Sequence, residues 1–182
     1  SQGGLGVQSA AVTGFTAGED AGAYAMDNPP PGTDPAYAER IVSRVTAPLR
    51  RSGDVDAYEI TYKVHEAVVP MEYNRIREAG RMREALGILE DARERLERVG
   101  AADLHDLARY HSAESMLMAA EATYRTALTR EESRSQHFRE DFPERDDENW
   151  FKWIAIEQQD GGAKLSTLPI PVDKYRLQPD RR

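Results

Sequence analysis

The 182-residue chain contains no cysteine. This excludes disulfides, thiolate metal sites, a catalytic thiol and any iron–sulfur cluster ligated by these residues, and it is compatible with a reducing compartment. Excess positive charge is also missing: 24 Lys and Arg stand against 32 Asp and Glu, a formal net charge of −8. Such a surface repels phosphate backbones and anionic lipid, so nucleic acid and membrane-surface partners are not expected. No apolar run approaches the ~20 residues of a membrane span, and the start lacks a basic segment followed by an apolar one. The expectation is a soluble, cytoplasmic protein without direct membrane insertion. No initiating Met is present; the chain opens Ser1-Gln2-Gly3-Gly4 inside a glycine-rich segment, which suggests part of a longer protein.

What is present is a series of helical patterns. Residues 1–26 are small and glycine-dense; Gly3-Gly4-Leu5-Gly6 reads as a tight turn and Ser9 to Ala25 as a helix. Asn28-Pro29-Pro30-Pro31-Gly32 then stops any helix, because proline lacks the amide donor and fixes φ. Thr33-Asp34-Pro35 supplies an N-cap and a first-turn proline, which predicts a helix towards Arg51, bent at Pro48. Further helices are predicted over Asp56 to Val69, ended by Pro70, and over Arg75 to Val99, with Met82, Leu86, Leu89, Leu96 and Val99 on one face and Gly100 as the stop. From the N-cap candidate Asp103, a longer helix carries Tyr110, Ala113, Leu117, Ala120, Tyr124, Ala127 and Leu128 at 3/4 spacing. A second stripe of Leu104, Leu107 and Met118 implies a central helix, apolar on more than one side. After Arg134 comes a charged loop, then Trp150 to Glu157 as a strand, Gly161-Gly162 as a turn, Ala163 to Thr167 as the return strand, and an extended arm from Leu168 to Val172. The predicted fold is mainly α, an antiparallel helical bundle with a short C-terminal β-hairpin. Its divisions fall at 1–32, 33–134 and 135–182.

Chemistry-bearing residues concentrate in Arg130-Glu131-Glu132-Ser133-Arg134-Ser135-Gln136-His137-Phe138-Arg139-Glu140-Asp141-Phe142-Pro143. Arginine forks there can clamp carboxylates or phosphates, and the histidine titrates near neutrality. The competing reading is that these charges pair with one another and fix the loop. His65, His105 and His111 lack the doubled Glu-x-x-His pattern of a bundle di-metal site, although His111 and Glu114 share a face; no metal site is expected. The acidic run Glu144, Asp146, Asp147 and Glu148 reads as solvated surface.

The segment Arg130-Glu131-Glu132-Ser133-Arg134, followed by His137-x-Arg139-x-Asp141-x-Pro143 and Asp146-Asp147-Glu148-Asn149-Trp150, resembles the C-terminal signature of a flavoprotein family. That family comprises the succinate dehydrogenase, fumarate reductase, L-aspartate oxidase and adenylylsulfate reductase flavoprotein subunits. Ala102 to Arg109 and Ala119-Ala120-Glu121-Ala122 look most like the adenylylsulfate reductase alpha subunit. The resemblance implies that residues 1–32 close an α/β FAD-binding domain and that Gly3, Gly4, Leu5, Gly6 and Val7 present backbone groups to FAD. It further implies electron transfer between a small anionic substrate and a separate iron–sulfur subunit, with most FAD contacts made by N-terminal FAD-binding and capping portions of the same protein or a companion chain. Arg134, His137, Arg139 and Asp141 would hold the interface between domains or border the active-site cleft. The family's substrate-binding arginine falls on Ser1, which favours an adenylylsulfate-like or otherwise divergent substrate. The dinucleotide-binding motif and the proton-donating arginine have no counterpart, so this segment alone would be inactive. The alternative reading is a non-catalytic helical module that binds a partner subunit.

Overall fold

The computed structural model describes residues 3–30, 32–159 and 162–174, with side chains from residue 6. Contacts divide the chain into two units, Ser1–Val45 and Thr46–Arg182. The first unit holds helix α1 (Gly3–Asp27) and most of α2 (Pro35–Thr46). The predicted turn at Gly3-Gly4-Leu5-Gly6 is not formed: the backbone is already helical at Gly3 and stays so through Gly14, Gly18 and Gly22. Isolated glycines weaken a helix by only about 1 kcal/mol each, and the intervening Ala, Val and Thr carry it. Within its unit α1 is exposed along residues 6–27, including Val7, Val12, Phe15, Tyr24 and Met26. Pro35 starts α2, with Asp34 accepting from the Ala36 N–H at 3.0 Å. Pro48 converts the continuation into a 3-10 turn, Ala47–Arg50, as the bend at that proline anticipated.

The second unit is built on three helices: α3 (Ala57–Val68), α5 (Ala79–Leu96) and α6 (Leu104–Thr129), with the short α4 (Met71–Asn74) between α3 and α5. Asp56 begins α3 with a reciprocal capping box, its side chain taking N–H bonds while Glu59 reaches back to the Asp56 amide. Glu78 starts α5 later than predicted, accepting from Gly80 and Arg81 N–H, because the preceding Arg77 is drawn into a bridge with Arg139. Ile60, Val64 and Ala67 of α3, Met82, Ala85, Leu89 and Ala92 of α5, and Ala113, Leu117 and Tyr124 of α6 fill the core. Tyr124 reaches across it to donate its hydroxyl to Ala67 O at 2.6 Å.

The structure corrects three further readings. Leu104 and Met118 are exposed and Leu107 alone of the second stripe is buried, so α6 packs by one face; its partners α3 and α5 are both on that side. Gly100 does not stop a helix, since α5 ends at Leu96. Its role is a close backbone crossing: a Cβ on Gly53 would lie 2.0 Å from Gly100 N, and one on Gly100 2.7 Å from Arg51 O. That crossing lets Val55 and Val99 bridge. Trp150 belongs to a one-turn helix, α7 (Asp147–Trp150), capped by Asp146, and not to the strand. The hairpin pairs β1 (Lys152–Gln159) with β2 (Gly162–Pro169), Trp153 opposite Leu168 and Ile156 opposite Leu165. Gly161 lies outside the described residues; Gly162 holds φ +136°, a conformation that favours glycine.

Candidate functional site

Helix α6 ends at Thr129 with its last carbonyls facing inward, and an α-helix leaves four such groups without intrahelical donors. The sequence solves this ten residues later. Arg139, 1% exposed, donates one guanidinium nitrogen to the carbonyls of Ala127 (3.0 Å), Leu128 (3.2 Å) and Arg130 (3.0 Å). The other edge of the same guanidinium grips Asp141 with two bonds, 2.7 and 2.6 Å, and the ring of Phe142 lies under it. A cation at the negative end of the helix dipole, paired with a carboxylate, is a favourable buried arrangement. Asp141 also takes the Ala79 N–H at 3.1 Å, so the loop is tied to the start of α5. The Arg139 guanidinium, more than any other group, holds the Asp141 carboxyl below its usual range.

A second arginine–carboxylate knot lies beside the first. Glu132 is fully buried and receives Arg130, Arg134 (2.8 and 3.0 Å) and the Asp146 N–H (2.9 Å). Burial alone would raise its pKa; the Arg134 fork, the Asp146 amide and Arg130 overturn that and keep it low. Arg134 also reaches Asp147, which Arg145 grips at 2.8 and 2.6 Å. Asp147 is therefore buried, not the solvated surface expected of that acidic run. Arg130 extends the knot to the hairpin by donating to Trp150 O (2.9 Å) and Lys152 O (2.6 Å). Ser133 takes the Arg139 N–H at 2.8 Å and donates to Phe142 O at 2.8 Å. Ser135, with φ 53°, makes the tight reversal in which Arg134 and His137 exchange backbone bonds.

The four sequence candidates Arg134, His137, Arg139 and Asp141 thus come together, but their polar groups turn mainly towards one another and towards Glu132 and Asp147. His137 lines a cleft with Arg77 and Arg130. Its Nδ1 lies 3.2 Å from an Arg77 guanidinium nitrogen and its Nε2 3.4 Å from Arg130 O. An arginine can only donate, so the contact fixes Nδ1 as acceptor and places the ring proton on Nε2. Burial, and then the nearby charges of Arg77, Arg130 and Arg139, lower the His137 pKa against the opposing pull of the Arg130 carbonyl. Glu132, Asp147 and Arg77 were not singled out from sequence. The Glu132–Arg134 spacing was the available signal for the first; nothing local predicted the other two. No group of three or more His, Asp or Glu suited to a metal occurs among the described residues, where His111 pairs with Glu114 at 3.0 Å. The described residues also contain no helix long and apolar enough to cross a membrane.

The arrangement is long-range and particular, and a family model of the fumarate reductase flavoprotein C-terminal region matches residues 67–182, which contain all of it. The chain belongs to this family. A fumarate reductase flavoprotein subunit of Helicobacter pylori is 31% identical over 144 residues, covering 74% of this chain and 20% of that protein. Among solved structures, an E. coli quinol fumarate reductase matches with a TM-score of 0.73 and 24% identity over 84% of this chain and 27% of its own. Adenylylsulfate reductase of Archaeoglobus fulgidus gives a TM-score of 0.69 and 22% identity over 85% and 28%. The chain spans about a fifth of the length of the curated relative. In this chain the residues of the composite C-terminal signature form the double arginine–carboxylate knot, which caps α6, anchors the loop to α5 and binds the hairpin.

Proposed function

We propose that the chain is the C-terminal portion of an FAD-dependent oxidoreductase flavoprotein subunit, in which FAD carries electrons between a small anionic substrate and an iron–sulfur partner. The family match across residues 67–182 supports this reading most directly. The flavin supplies the redox chemistry. Gly3, Gly4, Leu5, Gly6 and Val7 lie at the described start of α1, where the glycines leave the main chain accessible. Those residues fit a supporting contact to a cofactor, and the remainder of its site lies in N-terminal portions of the same protein or a companion chain. The exposed Val7, Val12, Phe15, Tyr24 and Met26 are consistent with a helix that packs on such portions. Residues 1–32 then finish the FAD-binding domain, 33–134 form the helical domain, and 135–182 the loop, hairpin and arm.

In this role Arg134, His137, Arg139 and Asp141 position the domain and do not touch substrate. The test uses the complete natural protein. Its visible spectrum should show flavin bands that bleach with a candidate reductant, and acid should release FAD; absence of flavin overturns the oxidoreductase reading. Arg134→Ala and Arg139→Ala should lose thermal stability and flavin together. A variant that keeps full flavin and stability but loses turnover would assign a catalytic role to the cluster instead.

A further inference from the structure

Arg77 differs from the other arginines of the knot in having no counter-charge. Arg130 and Arg134 hold Glu132, Arg139 holds Asp141, and Arg145 holds Asp147. Arg81, four residues on, holds Glu140. Among the described residues Arg77 makes no ion pair, and its one side-chain hydrogen bond goes to His137. Its Nε is buried without a partner. The residue is not a loose surface side chain, since its backbone is clamped by Phe138 O (3.3 Å) and the Glu140 N–H (2.8 Å). A guanidinium has five donors, and leaving most of them unpaired in a partly desolvated position is costly unless something else takes them.

Arg77 lines a cleft of about 200 Å³ together with Arg130, His137, Thr126 of α6 and Ile154 of β1, and among the described residues no carboxylate lines it. On a chain of net charge −8, the cleft carries two guanidiniums, of which Arg130 is paired with Glu132 and Arg77 makes no ion pair among the described residues. Its volume is several times the ~30 Å³ share of a water molecule, so it admits a group of a few heavy atoms. We propose that this cleft is a binding site for a small oxyanion, a carboxylate or a phosphate, held by the Arg77 guanidinium in the field of Arg130. The proposal does not rest on the flavin reading, because it is argued only from groups of the second unit.

His137 is a built-in reporter. An anion beside Arg77 offsets the repulsion from Arg77, Arg130 and Arg139, so the imidazole should titrate nearer its ordinary value when the site is filled. The complete natural protein, labelled at histidine, would be titrated with inorganic phosphate and, separately, acetate, at constant ionic strength in chloride, while the His137 ring resonances, assigned by their loss in His137→Gln, are followed by NMR. The expected result is a saturable shift with at least one probe and a raised His137 titration midpoint; the tighter probe identifies the source of the oxyanion. Arg77→Gln should weaken binding about tenfold or more, whereas Arg83→Gln, at an exposed arginine of α5, removes the same charge and should leave binding intact. Arg77→Lys, which keeps the charge without the fork, should bind with intermediate affinity if Arg77→Gln fails to fold. The proposal is overturned if neither probe gives a saturable shift, if Arg77→Gln binds as the parent does, or if Arg83→Gln weakens binding equally.

Discussion

Replacing Arg139 by methionine isolates the capping of α6 from bulk packing, since methionine fills much of the same space without a donor. The substitution strands the carbonyls of Ala127 and Leu128, leaves Arg130 O with only the longer His137 Nε2–H contact (3.4 Å), and leaves Asp141 without its two guanidinium bonds. A buried polar group left unsatisfied costs about 1–3 kcal/mol, and breaking a buried ion pair from one side costs about 3–5 kcal/mol. The full sum overstates the effect. Asp141 keeps the Ala79 N–H, its side chain is 23% exposed and can rehydrate, and the end of a helix can fray towards water. We therefore expect Arg139→Met to destabilise the second unit by about 3–5 kcal/mol, a large share of the ~5–15 kcal/mol of a typical domain. With a urea slope of about 1–3 kcal/mol/M, the midpoint followed by far-UV circular dichroism should fall by more than about 1 M at unchanged slope. Arg98→Gln, which breaks an exposed pair with Asp54, should leave the midpoint in place. A shift for Arg139→Met as small as that control would refute the view that this guanidinium holds the end of α6.

The other expectations follow from single contacts. Tyr124→Phe removes the hydroxyl that serves Ala67 O and should cost about 1–3 kcal/mol in the same urea assay, with the helical spectrum intact; a neutral result would mean that water replaces the phenol. Gly53→Ala drives a Cβ into the Gly100 backbone and should destabilise by at least about 1–3 kcal/mol, whereas Gly87→Ala, where a Cβ meets nothing within 4 Å, should be neutral or stabilising. Acid should weaken the fold in two stages. The His137 pKa is lowered on folding, so the unfolded chain binds more protons below about 6.5, and stability should fall as pH drops through that value. Glu132 and Asp141 are also lowered, so their contribution is present above about 4–4.5 and lost as pH falls further. Urea midpoints measured from about pH 3 to about pH 8 should show the upper stage disappear in His137→Gln and the lower one remain.

Most helices and the hairpin were legible in the sequence, because those depend on local periodicity and caps; the one-turn α7 and the ends of α5 were not. Asp56 and Asp103 cap where their spacing requires, Pro48 and Pro70 bend or end helices, and Met82, Leu89, Leu117 and Tyr124 recur at the intervals that bury one face. The composite signature from Arg130 to Trp150 was also legible as a family resemblance. Which charge meets which was not, because pairing depends on where the chain returns after Thr129. Asp147 looked like solvated surface until Arg134 and Arg145 were placed against it, and Gly100 looked like a helix stop until Gly53 crossed beside it. Leu104 and Met118 read as a second buried stripe, yet a periodic pattern states only that a face is apolar, and α3 and α5 cover just one side of α6. The lone charge of Arg77 is the plainest case. Its neighbours in sequence include Glu78, but Glu78 turns to cap α5, and it is the tertiary fold that sets Arg77 beside His137 and Arg130 without an ion pair among the described residues.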